Sequence, residues 1–154
     1  MTELNLNDEK FVNSIVYYGM EYCFNSECAR KASCFRFIAA KFKDPNKKRG
    51  NAIFPDALKD GKCAFHLQPR IIQAAWGLSH LYDEVRHEDI AAMRRKATTL
   101  LGGKTSYYRY HRGEKKLSPE MQQSVYKLFE KNGYSKPTFD HFKEEIAFKK
   151  DSND

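Results

Sequence analysis

The sequence of 154 residues lacks several things whose presence would have named a function class at once. No apolar run approaches the ~20 residues that a helix needs to cross a bilayer, so no membrane partner is expected. The opening stretch, MTELNLNDEKF, is acidic and polar. A secretory leader has cations followed by an apolar core, so a cytoplasmic setting is expected instead. Neither a Walker motif nor G-x-G-x-x-G occurs among the eight glycines, which removes the common glycine-built phosphate cradles. Histidines number five and tryptophan one, and no Cys–His or Ser–His–Asp arrangement for nucleophilic catalysis is recognisable. An enzyme is therefore not expected. Internal repeats and low-complexity tracts are also missing.

Hydrophobic residues make up 41% and aromatics 14%, enough for a folded chain with a real core. The formal charge is +7, and it is concentrated. Residues 94–117, RRKATTLLGGKTSYYRYHRGEKKL, hold eight Lys or Arg against one acid, Glu114, so this stretch alone equals the excess of the whole chain. Tyr107, Tyr108, Tyr110 and His111 are threaded among the cations. Cations meet phosphates while rings pack on sugars or bases, so this pattern suits a polyanion surface; the plainer alternative is a solvated helix face.

Periodicity and capping signals give a chain of helices. One starts after Asn7 with Phe11, Ile15 and Tyr18 on a face, and a second runs from about Glu27 to Phe42. DPNKKRGN, residues 44–51, reads as an exposed loop, with phosphate contact as the alternative. Pro69 at a first turn suggests a third helix reaching Val85, carrying Ile72, Ala75, Trp76 and Leu81 inward. A fourth covers Glu88 to Leu101 and stops at Gly102-Gly103. A short helix spans Thr105 to His111, another opens at Ser118-Pro119 and ends at Gly133, and a last one starts near Thr138. The expected fold is mainly α, a helical bundle with a cysteine-rich, zinc-stabilised N-terminal segment. The expected division is residues 1–66 and 67–150, as two units or packed as one domain.

All four cysteines lie in the first part, as Cys23, Cys28, Cys34 and Cys63, with His66 following Cys63 as C-x2-H. In a reducing compartment these are thiols or metal ligands. Four thiolates match the coordination of structural Zn²⁺, with His66 as an alternative fourth ligand should Cys34 be a buried helix thiol. An iron–sulfur cluster is the lesser metal reading, and inert core cysteines the alternative to both. The cluster HLYDEVRHED, residues 80–89, also gathers His80, Asp83 and His87, but reads more simply as surface charge and helix-start acids.

The order of elements around the basic stretch is helix, glycine turn, short basic helix, glycine, helix. This is the layout of a helix-turn-helix unit, whose second helix enters the major groove. Thr105, Ser106, Arg109 and Arg112 would face the groove, and Lys104, Lys115 and Lys116 would hold phosphates. The run LLGGKTSYYRYHRGEKKLSPE resembles the second and third helices of repressor-type helix-turn-helix proteins, a likeness covering residues 88–130. It departs from them in its Gly-Gly-Lys turn and its adjacent tyrosines. The whole chain is similar to an uncharacterised bacterial family that combines an N-terminal cysteine cluster with Y-R-Y-x-R-G-E and L-S-P-E. That likeness implies a two-part architecture and no activity. The expected function is a regulatory nucleic-acid-binding protein, DNA before RNA, with a structural metal site. The alternatives are an adaptor for an acidic protein and a small zinc or iron–sulfur enzyme.

Overall fold

The computed structural model describes residues 3–150. In chain order they form α1 (Glu9–Ile15), β1 (Tyr22–Cys23), α2 (Phe35–Lys41), β2 (Ala52–Ile53), β3 (Leu58–Lys59), β4 (Lys62–Cys63), β5 (Leu67–Trp76), α3 (Ile90–Leu100), α4 (Lys104–His111), α5 (Pro119–Lys131) and β6 (His141–Lys150). Three two-stranded sheets, β1–β2, β3–β4 and β5–β6, accompany the helices. The mainly α bundle expected from periodicity is therefore corrected to a mixed fold. The chain divides into two compact units, residues 1–71 with 146–154, and residues 72–145, so the boundary falls inside both β5 and β6.

In the first unit, Asp8 caps α1 by accepting hydrogen bonds from the backbone amides of Lys10 and Phe11, as the start after Asn7 anticipated. The core gathers Val12, Met20, Tyr22, Phe35, Ile38, Ala39 and Leu67, with Phe148 packed against it. The helix expected from Glu27 to Phe42 is shorter, because a 3-10 turn at Lys31–Ser33 precedes Cys34, whose backbone is extended. α2 thus begins only at Phe35. Arg36, 2% exposed, reaches from α2 into the interior. Its guanidinium donates to the carbonyls of Phe65 and Glu21 and to the Glu21 carboxylate, which tethers two otherwise irregular segments. β1 and β2 pair in parallel, Tyr22 opposite Ala52 and Cys23 opposite Ile53. The helical make-up expected of this cysteine-rich segment is corrected as well: the unit is built on an apolar core and short sheets. Among the described residues no group of three or more His, Cys, Asp or Glu is arranged to hold a metal ion.

In the second unit, α3 packs against both α4 and α5. Met93, Ala97, Tyr107, Tyr110, Val125, Tyr126 and Phe129 supply much of the core. Ser118 caps α5 through the Met121 amide, and Pro119 takes the first helical position, both as the sequence indicated. Two expected helices are strands. Residues 67–76 form β5, since the Ala75 amide and carbonyl exchange hydrogen bonds with Leu117, at 3.0 and 2.8 Å, and the β-branched pair Ile71-Ile72 suits extended backbone. The segment after Thr138 is β6 for a related reason. The Asp140 carboxylate accepts from the amides of Ser79 and His80, and its own amide donates to the Gly77 carbonyl, which pins this point to a turn sixty residues earlier. Beyond it the strand carries Phe142, Ile146 and Phe148 at even positions, of which Phe142 and Ile146, with Phe139, also satisfy a helical period.

Candidate nucleic-acid interface and thiol cluster

The basic stretch folds into the end of α3, the Gly102-Gly103 turn, α4 and the loop to α5. α4 is oriented by what it buries. Tyr107 and Tyr110 point into the core, and the Tyr107 hydroxyl pairs with that of Tyr82 at 3.0 Å. Burial drives both phenols above their ordinary range, so the pair stays neutral and hydrogen-bonded. With Tyr107 and Tyr110 inside, helical spacing sends Lys104, Thr105, Tyr108, Arg109 and Arg112 outward, and all five are exposed. Tyr108, 43% exposed, is the outward ring, a role that the adjacent tyrosines alone did not assign.

Glu114 governs the cations around it. Its carboxylate lies 2.6 Å from Arg112 Nε and 3.8 Å from Arg109 Nε. The hydrogen bond from Arg112 holds the Glu114 carboxyl below its usual range. Lys115 Nζ stands 4.9 Å from the Tyr110 ring centre and reaches Ser106 Oγ, which is half-buried. Lys116 is committed inward: its ammonium lies over the Trp76 ring and pairs with Glu145. Of the seven residues expected to contact nucleic acid, Lys104, Thr105, Arg109, Arg112 and Lys115 therefore share open surface, Ser106 supports it, and Lys116 bridges Trp76 and Glu145. On α3, Arg94 is drawn over the Tyr82 ring and Lys96 to the Asn132 side chain.

The thiols are a separate constellation in the first unit. Cys23 from β1, Cys28 and Cys34 from the loop before α2, and Cys63 from β4 line one cavity of about 30 Å³, together with His66. Cys34 is buried at the start of α2 rather than within it. Burial pushes the Cys23 thiol up, and the nearby Cys34, Cys28 and Cys63 add to that, against a hydrogen bond from the Asn25 backbone. His66 is 2% exposed and both ring nitrogens are engaged, Nδ1 with Arg30 at 3.0 Å and Nε2 with Ser33 Oγ at 3.2 Å. It thus braces the segment between Cys28 and Cys34, beside the four sulfurs. Their chemistry fits a soft metal. His80 and Asp83 form an exposed pair at 2.8 Å, in keeping with a surface reading.

The chain belongs to a family of unknown function, DUF6078, whose model matches residues 6–148. No curated protein and no solved structure matches it.

Proposed function

We propose that the chain binds nucleic acid without catalysing a reaction, with duplex DNA as the first target and α4 as the contacting helix. The observation that carries this reading is the inward pair Tyr107 and Tyr110, which turns Lys104, Thr105, Arg109 and Arg112 together to solvent with Glu114 as the sole carboxylate of the stretch. Arg109 and Arg112 would meet base edges or phosphates, and Lys104 and Lys115 the backbone. The test is fluorescence anisotropy with labelled duplex DNA, duplex RNA and an acidic polypeptide across a salt series. Binding to the DNA should fall steeply with salt, and Arg109→Ala with Arg112→Ala should reduce the slope by about two. Absence of DNA binding at low salt sinks the reading, and preference for the acidic polypeptide replaces it with an adaptor.

A second reading is favoured by the convergence of four thiols from positions 23 to 63 on one small cavity. We infer that they take up zinc by drawing together around it. Elemental analysis of protein purified without added metal should give one equivalent of zinc, reduced in Cys28→Ser. Iron with visible absorbance, or no metal, overturns this.

A further inference from the structure

The loop 43–51 and strand β1 enclose a cavity of about 370 Å³ in the first unit. That volume is at the lower end of the range for small-ligand sites. Its lining contains four cations, Lys43, Lys47, Lys48 and Arg49, two rings, Tyr22 and Phe24, and no carboxylate. Like charges so placed repel one another, and an anion between them relieves the repulsion.

The frame is built rather than fluid. The Asp44 side chain accepts from the Asn46 amide at 2.8 Å, and the Asp44 carbonyl from the Lys47 amide at 3.0 Å. Lys43 Nζ donates to the Lys47 carbonyl. The far end of the loop is tied to β1, with the Tyr22 amide donating to the Asn51 carbonyl. Lys47 Nζ stands 5.2 Å from the Tyr22 ring centre, so that ring is covered. Two groups are left over. Lys48 and Arg49 make no hydrogen bond or ion pair among the described residues, and Phe24 is 55% exposed although it lies 6.4 Å from Tyr22. An exposed ring beside two uncommitted cations presents a stacking face and a phosphate clamp within one cavity.

We propose that this cavity binds a nucleotide unit, its phosphate on Lys48 and Arg49 and its base on Phe24. The unit comes either as a free nucleotide or as part of a single strand. The proposal is independent of α4, which lies in the other unit, and no residue is shared between the two surfaces.

The experiment is amide chemical-shift titration of the full chain with AMP, ribose 5-phosphate and a short oligothymidylate. Shifts should concentrate at residues 22–25 and 47–51, and AMP should bind about tenfold more tightly than ribose 5-phosphate because only AMP can stack. Phe24→Leu should erase that difference while leaving ribose 5-phosphate binding unchanged. Lys48→Ala with Arg49→Ala should weaken all three probes, whereas Lys104→Ala with Arg109→Ala should leave the AMP titration as it was. All four substituted side chains in these last two variants are exposed, so the fold should survive them. Tighter binding of the oligonucleotide than of AMP at residues 22–25 and 47–51 assigns a strand as the source, and comparable affinities assign a free nucleotide. Equal affinity for AMP and ribose 5-phosphate, or shifts scattered over the surface, overturns the proposal.

Discussion

Replacing Gly77 by Ala tests whether the Asp140 clamp holds the second unit together. Gly77 has φ +80°, and a Cβ there would stand 2.6 Å from both Cβ and Oδ2 of Asp140. Gly133 is the natural control, since it has φ +81° and nothing within 4 Å of its would-be Cβ. Left-handed backbone costs a residue with a Cβ about 1 kcal/mol, partly offset by the smaller entropy of the unfolded chain, so Gly133→Ala should cost 1 kcal/mol or less. At Gly77 the same strain applies, but Asp140 must also retreat by about 1 Å to reach ordinary contact. Its carboxylate sits 3.1 Å from the Ser79 amide and 3.3 Å from the His80 amide, so retreat forfeits at least one of these bonds. A hydrogen bond to a charged group contributes roughly 1.5–3 kcal/mol, which brings the expected total for Gly77→Ala to about 3 kcal/mol. Urea unfolding followed by fluorescence measures both variants on the same unit, because Trp76, the sole tryptophan, lies in it. Introducing Asp140→Gly alongside should reduce the cost of Gly77→Ala to that of Gly133→Ala. Equal costs for Gly77→Ala and Gly133→Ala in the parent protein would refute the clamp.

Three further outcomes are expected. Arg36→Ala strands the carbonyls of Phe65 and Glu21 and should destabilise the first unit by about 3 kcal/mol, with faster labelling of the thiols by an aromatic disulfide reagent; unchanged labelling contradicts the tethering role. Glu114→Gln releases Arg109 and Arg112 together and should tighten DNA binding two- to fivefold, on the order of one surface ion pair, as read by anisotropy; weaker binding would mean that Glu114 positions the arginines productively. Two carboxylates should shape the acid limb of stability. Burial pushes Asp140 up, but hydrogen bonds from Ser79 and His80 outweigh it and hold it below its ordinary value, while Glu21 is lowered by its own backbone amide and by Arg36. Both are depressed on folding, so their contribution is complete above the unfolded values, near 4, and is lost as pH falls through the folded ones. Asp140→Asn and Glu21→Gln should flatten the decline seen in urea titrations below about pH 4, and an unaltered decline would show that the pairs contribute nothing.

The helices of the basic stretch were legible because their signals are local. Ser118 and Pro119 open α5, Gly102-Gly103 separate α3 from α4, and Gly113 follows α4, each within a few residues of what it terminates. β5 and β6 were illegible for the opposite reason. Ile72, Ala75 and Trp76 satisfy a helical period as well as an extended strand, and what decides between them is Leu117, some forty residues away. The thiol set was readable as a list of residues, but its geometry was not: spacing put His66 beside Cys63 and could not show Arg30 and Ser33 on its two ring nitrogens. The cavity over the 43–51 loop had a faint signal, three successive cations after a Pro-Asn turn. Tyr22 and Phe24 could not be attached to it from sequence, because the parallel pairing of β1 with β2 is what brings them there.

β1 acts as a partition. In extended backbone, neighbours face opposite ways, and Cys23 lines the thiol cavity while Tyr22 and Phe24 line the cation-rich one. The three residues share one run of backbone. A metal or an oxidant that displaced Cys23 would displace the two rings through it, and an occupant that held the rings would hold Cys23 in return. By thermodynamic reciprocity the two effects are equal in size: whatever factor thiol ligation applies to occupancy across the strand, occupancy applies to thiol ligation. Two chambers with a common wall would then report on each other.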